Sequence, residues 1–268
     1  MDYYIDWNCR LMPAMKGSVQ TPEDSVTAML ELSQKFHLTR FCMMPEFDPM
    51  SESVSMFLLR RDQSEKQLCD ILPKELKVKY AAGIHLVPNL HQETNLKKLL
   101  FTKDGYLPII LPITDYADWI DLELNRLLYH SSYQKLLFLS CDIYEKLYPK
   151  EAMERLFRIK HAVYQFNFQA LTDPFFCKRI STLLQEKKTV LLGTSLNTVG
   201  KNLSLRSCMQ SKIRNGSHLR CGLSKNVTRQ SRVLGSVNDA SLFFTAHFTV
   251  FQSCGFATTQ MTLLLIFI

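Results

Sequence analysis

The stretch 5-IDWNCRLMP-13 decides how the chain is read. It opens like a buried strand, with Ile5 and Trp7, and closes on a proline turn. Asn8, Cys9 and Arg10 fall where a strand hands over to a loop. In a parallel α/β protein that is where a functional site sits. The stretch is therefore either the mouth of a site or the remains of one, and the surrounding sequence has to decide between them.

The next segments repeat the pattern. Thr21-Pro22-Glu23-Asp24 opens a helix, with Thr as N-cap, Pro in the first turn and acids beside the positive helix end. That helix runs to about Phe36. TRFCMM (39–44) is a second strand, ended by Pro45, and a helix from Val54 to about Ile71 follows. KVKYAAGIHLV (77–87) and YLPIILPI (106–113) are further strands, the latter weakened by Pro108. A helix over 115–130 places Trp119, Leu122 and Leu127 on one side. KLLFLS (135–140) is the fifth strand, and a helical stretch over 142–160 breaks at Pro149. HAVYQFN (161–167), a helix over 173–187, and KTVLLGTS (188–195) complete the series. Strands alternating with helices at this spacing imply βαβ units and parallel strands. Seven such units in roughly 200 residues fit a closed or nearly closed α/β barrel, with an open doubly wound sheet as the alternative. No GxGxxG or GxxxxGK[ST] motif is present, so the usual phosphate-cradling loops of nucleotide-binding sheets are absent.

Charge divides the chain at residue 202. Residues 203–268 hold seven of the 32 Lys and Arg and one of the 25 acids. Residues 1–202 keep 25 bases and 24 acids, close to neutral, which gives no reason to expect a nucleic-acid partner. Residues 203–240 are rich in Ser, Arg and Asn and lack a trusted period. Residues 241–268 run 28 positions without Lys, Arg, Asp or Glu. Three readings of this segment stand: a product of a frame change or other aberrant terminus, a membrane segment, or an ordinary basic tail. Outside 241–268 no membrane contact is expected. The N-terminus has no basic region followed by an apolar run, so no secretory signal is read there. None of the eight cysteines forms a CxxC pair, and the body reads as cytoplasmic with reduced thiols.

At this point the chain resembles a known family. IDWNCRLMP, QTPEDSVTAMLELSQKF (20–36) and TRFCMMPEF (39–47) are similar to the start of the PHP (polymerase and histidinol phosphatase) family. The branch is the bacterial capsular-polysaccharide type of manganese-dependent protein-tyrosine phosphatase. The likeness continues through GIHLVPNL (83–90), KLLFLSCDIYE (135–145), YQFNFQAL (164–171) and LLGTSLN (191–197), and so spans about 1–202. It implies a distorted seven-stranded (βα) barrel with metal ligands at the C-terminal strand ends. It also implies a terminal helix, in whose place this chain carries residues 203–268.

The resemblance also implies which positions should hold metal. The first-strand His-x-His falls on Asn8 and Arg10, and the acidic turn falls near Lys16. The His after the second-strand proline falls on Glu46, and the Glu of Gly-x-Glu on His85. The His of the Ala-His-Pro stretch falls on Cys141, and the last-strand Asp and His fall on Ser195 and Asn197. These exchanges replace anionic and imidazole ligands with a neutral amide and permanent cations, which oppose a cluster of divalent ions. The implied reading is a pseudophosphatase with no cofactor. It would bind a protein or a phosphotyrosine segment, in a setting of surface-polysaccharide synthesis. Manganese belongs here only if the family site survives.

The alternative is an active phosphatase with a reorganised set: Glu46, His85, Cys141 and Asp48. Two readings also stand at Arg10. With Lys16 it can bind an anion, helped by Asn8 and Asn197, or it can pair with Asp6, Glu46 or Asp48 and close the site. His85 and Cys141 are either a small metal or nucleophile site or packed and inert. Gln165 and Asn167 either orient a ligand or satisfy the barrel top.

Overall fold

The structure is a computed structural model that describes residues 4–16, 18, 21–36, 38–101, 105–129, 135–194, 243–250 and 259–266. In chain order its elements begin with β1 (Tyr4–Cys9), α1 (Pro22–Phe36), β2 (Leu38–Met43), β3 (Glu46–Phe47), α2 (Val54–Cys69), β4 (Lys77–Tyr80) and β5 (Gly83–His85). They continue with β6 (Tyr106–Ile110), α3 (Asp118–Tyr129), β7 (Lys135–Phe138), α4 (Cys141–Leu147), α5 (Lys150–Arg158), β8 (Val163–Asn167), α6 (Pro174–Gln185) and β9 (Thr189–Gly193). The antiparallel pair β10 (Phe243–Val250) and β11 (Thr259–Ile266) closes the described chain, with β11 beside β9 and α6.

The helix starts follow local chemistry. Thr21 Oγ1 accepts the Asp24 N–H at 3.1 Å, and Ser53 Oγ accepts the Met56 N–H at 3.3 Å, each satisfying a donor that the first helical turn leaves open. Asp173 does the same for Phe175 at 2.9 Å, ahead of Pro174. Pro149 separates α4 from α5, because its ring cannot continue a helix. In α3 the buried face is Ile120, Glu123, Leu124 and Leu127. Leu122, expected beside Trp119 on the inner side, is half exposed.

Strands β1 to β9 pair in parallel, in two sheets ordered β1-β2-β4 and β3-β5-β6-β7-β8-β9. The sequence leads one to expect seven strands, and the described residues hold nine parallel ones. One expected strand, 77–87, is split, and a further short strand follows Pro45, where the strand 39–44 was expected to end. Residues 38–47 break at Met44-Pro45, where proline lacks a donor, and 77–85 breaks at Ala81-Ala82. The backbone carries bonds across both breaks: Met44 N–H to Cys9 O at 3.0 Å, Ala81 N–H to Met43 O at 2.9 Å, and Gly83 N–H to Pro45 O at 3.0 Å. Pro108 does sit within β6. The pairing with β5 begins only at Ile109, so the missing donor is not needed on that side.

The residues alternate between two apolar layers. One face of the strands packs with the helices, where Phe41, Met43, Phe138 and Tyr164 meet residues such as Met29 and Leu156. The other face gathers Trp7, Cys42, Ile110, Leu137, Val163 and Leu191. Every one of these is under a tenth exposed, so apolar side chains fill the interior beneath the C-terminal strand ends. The expected terminal helix, and the junction at 202–203, fall outside the described residues.

Candidate functional site

The C-terminal strand ends carry most of the positions singled out from the sequence, and the structure joins three of them directly. Glu46, at the start of β3, pairs through Oε1 with the Arg10 guanidinium, just past β1. Its other oxygen lies 3.0 Å from His85 Nε2 at the end of β5. Arg10, Glu46 and His85 are each partly buried, at 21, 18 and 33 % side-chain exposure. The His85 hydrogen bond, then the nearby Arg10 charge, hold the Glu46 carboxyl below its ordinary range despite the opposing effect of burial. Lys16 adds to this from the exposed turn after β1. Of the alternatives at Arg10, the structure therefore contains the pairing with Glu46.

Asn8 is committed elsewhere. It is 1 % exposed, and its amide donates to Gln165 Oε1 at 3.0 Å and to Ser140 Oγ at 3.5 Å. Gln165 Oε1 also accepts the Ser140 N–H at 2.7 Å, and Gln165 Nε2 donates to Phe166 O at 2.7 Å. Gln165 thus satisfies buried groups from β1, the β7–α4 turn and β8 at once. Ser140 needs this support because it stands in the left-handed region, φ 53°. Asn167 donates its backbone N–H and its side-chain amide to the two oxygens of Asp142, both at 2.9 Å.

Cys141 sits at the first position of α4, buried, with its thiol donating to Phe138 O at 3.5 Å. Burial, then the neighbouring Asp142 and Glu145 charges, push the thiol well above its ordinary range. A thiol so placed is a poor nucleophile and a poor metal ligand, both of which require the thiolate. Asp48 accepts the Met50 N–H at 3.0 Å and shapes the turn before α2. Ser195 and Asn197 lie outside the described residues.

Asp6, one of the partners offered for Arg10, is bonded elsewhere, and that role went unread in the sequence. Asp6, fully buried on β1, accepts the N–H groups of Asn8 at 3.1 Å and Thr194 at 2.9 Å, and the Thr194 hydroxyl donates to its second oxygen. Burial raises its carboxyl even against these bonds. β1 and β9 lie side by side at this point, and Gly193 approaches so closely that a Cβ there would stand 2.7 Å from Asn8 N. The signal was present only as an Asp on the first strand and a Gly-Thr at the end of the last parallel strand, which no local spacing connects.

The resemblance implies a cluster of hard divalent ions at these strand ends. The described residues do not fit one. Among them no group of three or more His, Cys, Asp or Glu is placed to hold a metal. Glu46 and His85 are adjacent, but the carboxylate is already paired with a guanidinium that cannot lose its proton. Asn8 offers a neutral amide already bonded within the protein.

No protein-family model matches the sequence, and no curated protein matches it. Solved structures do. One comes from work on YwqE of Bacillus subtilis and CpsB of Streptococcus pneumoniae, metal-dependent tyrosine phosphatases. It superposes with a TM-score of 0.55 at 18 % identity, over 74 % of this chain and 81 % of that one. The chain has the fold of these tyrosine phosphatases. Its parallel strands alternating with helices agree with the α/β fold implied by the stretches quoted from the sequence, and at this identity the likeness is one of fold. A histidinol phosphate phosphatase of Lactococcus lactis, bound to zinc, L-histidinol and phosphate, aligns with a TM-score of 0.44 at 14 % identity, over 81 % of this chain and 94 % of that one. Among the described residues no helix is long and apolar enough to cross a membrane.

Proposed function

We propose that this chain is a non-catalytic relative of the metal-dependent tyrosine phosphatases. It acts by binding a protein or a phosphorylated segment at the barrel mouth, in a setting of surface-polysaccharide synthesis. One observation carries the reading: the Arg10 ion pair with Glu46, itself hydrogen-bonded to His85, at positions that the resemblance assigns to metal ligands. A bound metal would have to displace Arg10 and tolerate its charge nearby. Without such a metal no group described here lowers the pKa of an attacking water. The same Arg10 supports an affinity for anions. Its Nε is buried and has no hydrogen-bond partner among the described residues, and guanidinium forks match phosphate oxygens.

The reorganised-phosphatase alternative gains nothing from Cys141, whose thiol is buried and held protonated. The deciding experiment uses the full chain, incubated with Mn²⁺ and freed of excess, then assayed with a phosphotyrosine peptide. The expected result is no tightly held metal and no phosphate release, with saturable peptide binding that weakens in Arg10→Ala. Two or three retained ions per chain together with phosphate release would replace this reading with the enzyme. Neither binding nor hydrolysis in a folded sample would remove the phosphorylated ligand and leave a protein partner.

A further inference from the structure

Residues 1–202 are nearly neutral in sum, but the fold sorts their charges along the barrel axis. Acids gather in the first helical turns at the mouth end: Glu23 and Asp24 in α1, Asp118 and Asp121 in α3, and Asp142 in α4. Bases gather in the last turns, among them Lys66, Arg126 and Arg158. Each arrangement suits the dipole of its own helix. Summed over parallel helices, they leave opposite ends of one barrel with opposite sign.

The basic end is most concentrated beneath β7, β8 and β9. Leu137 pairs with Val163 and Val163 with Thr189, so Lys135, His161 and Lys187, each two residues earlier, stand in one row across three neighbouring strands. Arg158, Lys160 and Lys188 flank the row, and Glu186 is the acid among them. Two of these cations serve the fold. Lys188 Nζ donates to Ile159 O at 3.2 Å, and Lys135 Nζ lies 5.5 Å from the Tyr106 ring centre. Arg158, Lys160 and Lys187 are exposed and make no ion pair among the described residues. His161 and Lys187 both hold φ near +58°, which makes each turn tight and keeps the row at one level. Tyr129, the last residue of α3 and so at this same end, is 79 % exposed.

We propose that this end of the barrel docks on an anionic lipid surface, with Arg158, Lys160 and Lys187 against the headgroups and the mouth facing away. The charge is spread over the tips of separate turns rather than along one track. A planar negative surface attracts this end and repels the acidic one, which fixes orientation as well as affinity. The exposed tyrosine suits an interface that is wet on one side and apolar on the other. A nucleic acid would favour a cationic groove with aromatic platforms, an arrangement these turns do not make. The contact is with the surface and requires no spanning segment.

The test is co-sedimentation of the full chain with vesicles of phosphatidylglycerol and phosphatidylcholine, with pure phosphatidylcholine as reference. The variant is Arg158→Gln/Lys160→Gln/Lys187→Asn, the asparagine chosen because it tolerates a positive φ. A control removes three exposed lysines that are not in the last turns of the α-helices, Lys98→Gln/Lys150→Gln/Lys178→Gln. Both variants keep residues 203–268, so the basic tail contributes equally. The expected result is anionic-vesicle binding that the first variant weakens at least about tenfold, the control leaves within about threefold, and high salt abolishes, as a multi-cation contact requires. Equal binding by both variants would overturn the proposal. So would retention of duplex DNA in preference to vesicles of equal charge, or binding indifferent to anionic lipid.

Discussion

His85 Nε2 and Glu46 Oε2 lie 3.0 Å apart, joining the end of β5 to the start of its paired strand β3 at the barrel mouth. The other Glu46 oxygen meets Arg10 from a third strand. One carboxylate thereby neutralises the charge at positions where the resemblance implies metal. The arrangement turns what would be an electrostatic conflict, a guanidinium among metal ligands, into a cross-strand tie.

Replacing that carboxylate should reveal its structural share. Glu46→Gln leaves the Arg10 charge partly buried without its partner, and the expected cost is about 1–3 kcal/mol at pH 7. The folded protein holds the Glu46 carboxyl below its ordinary value of 4.5, so just under that pH the folded state binds fewer protons than the unfolded chain. The stabilisation is complete above pH 4.5 and is lost as pH falls through the lowered value. Urea unfolding at neutral pH and near pH 3 should show the gap between wild type and Glu46→Gln closing in acid.

Asp6 has the opposite sign. Burial raises its carboxyl above 3.8, so folding favours the proton there and the contribution declines as pH rises past that value. Asp6→Asn keeps an oxygen for the Asn8 and Thr194 N–H groups and offers an N–H to the Thr194 hydroxyl. It should fall within about 1 kcal/mol of wild type at pH 7, or exceed it, since it removes a buried charge. Asp6→Ala orphans those donors and should cost about 2–4 kcal/mol. Thermal melts of the two variants side by side separate these outcomes.

The elements were legible in the sequence because their signals are local. Thr21-Pro22-Glu23-Asp24 and Asp173-Pro174 carry capping chemistry within four residues, and both helices begin there. Pro149 broke its helix where expected. The splits of 38–47 and 77–85 were not legible: Pro45 was read as an end, whereas the chain resumes pairing one residue later at Glu46. The Arg10–Glu46 pair stood among the readings because resemblance brought those positions to one mouth. Gln165 stood among the readings as a residue that satisfies the barrel top, but its partners Asn8 and Ser140, and the Asp6–Thr194 bond, were not legible, because each joins residues more than 20 positions apart through side chains with no periodic signature.

Gly193 is the tightest point of that seam. A Cβ there would stand 2.7 Å from Asn8 N and 3.0 Å from Asn8 Cβ. The nearer atom is backbone and cannot rotate away, so Gly193→Ala must push β9 from β1 or break the Asp6 bonds. The expected cost is about 2–3 kcal/mol. Gly105→Ala is the comparison: space is open around it, but its φ of +84° strains any other residue, and about 1 kcal/mol is expected. Equal losses in chemical denaturation would mean that the seam accommodates a methyl group and that backbone conformation alone governs both sites.

Thiol reactivity separates a packed Cys141 from a catalytic one. Its Sγ is buried against Phe138 O, and burial with nearby acids raises the thiol above 9.0. Cys9 and Cys42 are buried with thiols raised likewise, whereas Cys69 is exposed at the end of α2. Alkylation with iodoacetamide at pH 7.5, mapped by peptide mass spectrometry, should therefore label Cys69 ahead of Cys9, Cys42 and Cys141. Cys141 should stay unlabelled until guanidinium unfolds the chain, because the reactive thiolate is both scarce and unreachable. Labelling of Cys141 ahead of Cys69 in the folded protein would show an activated thiol and return Cys141 to the list of nucleophiles. The slow outcome leaves Arg10 as the chemically distinctive group at the mouth, a permanent cation with one buried donor to spare.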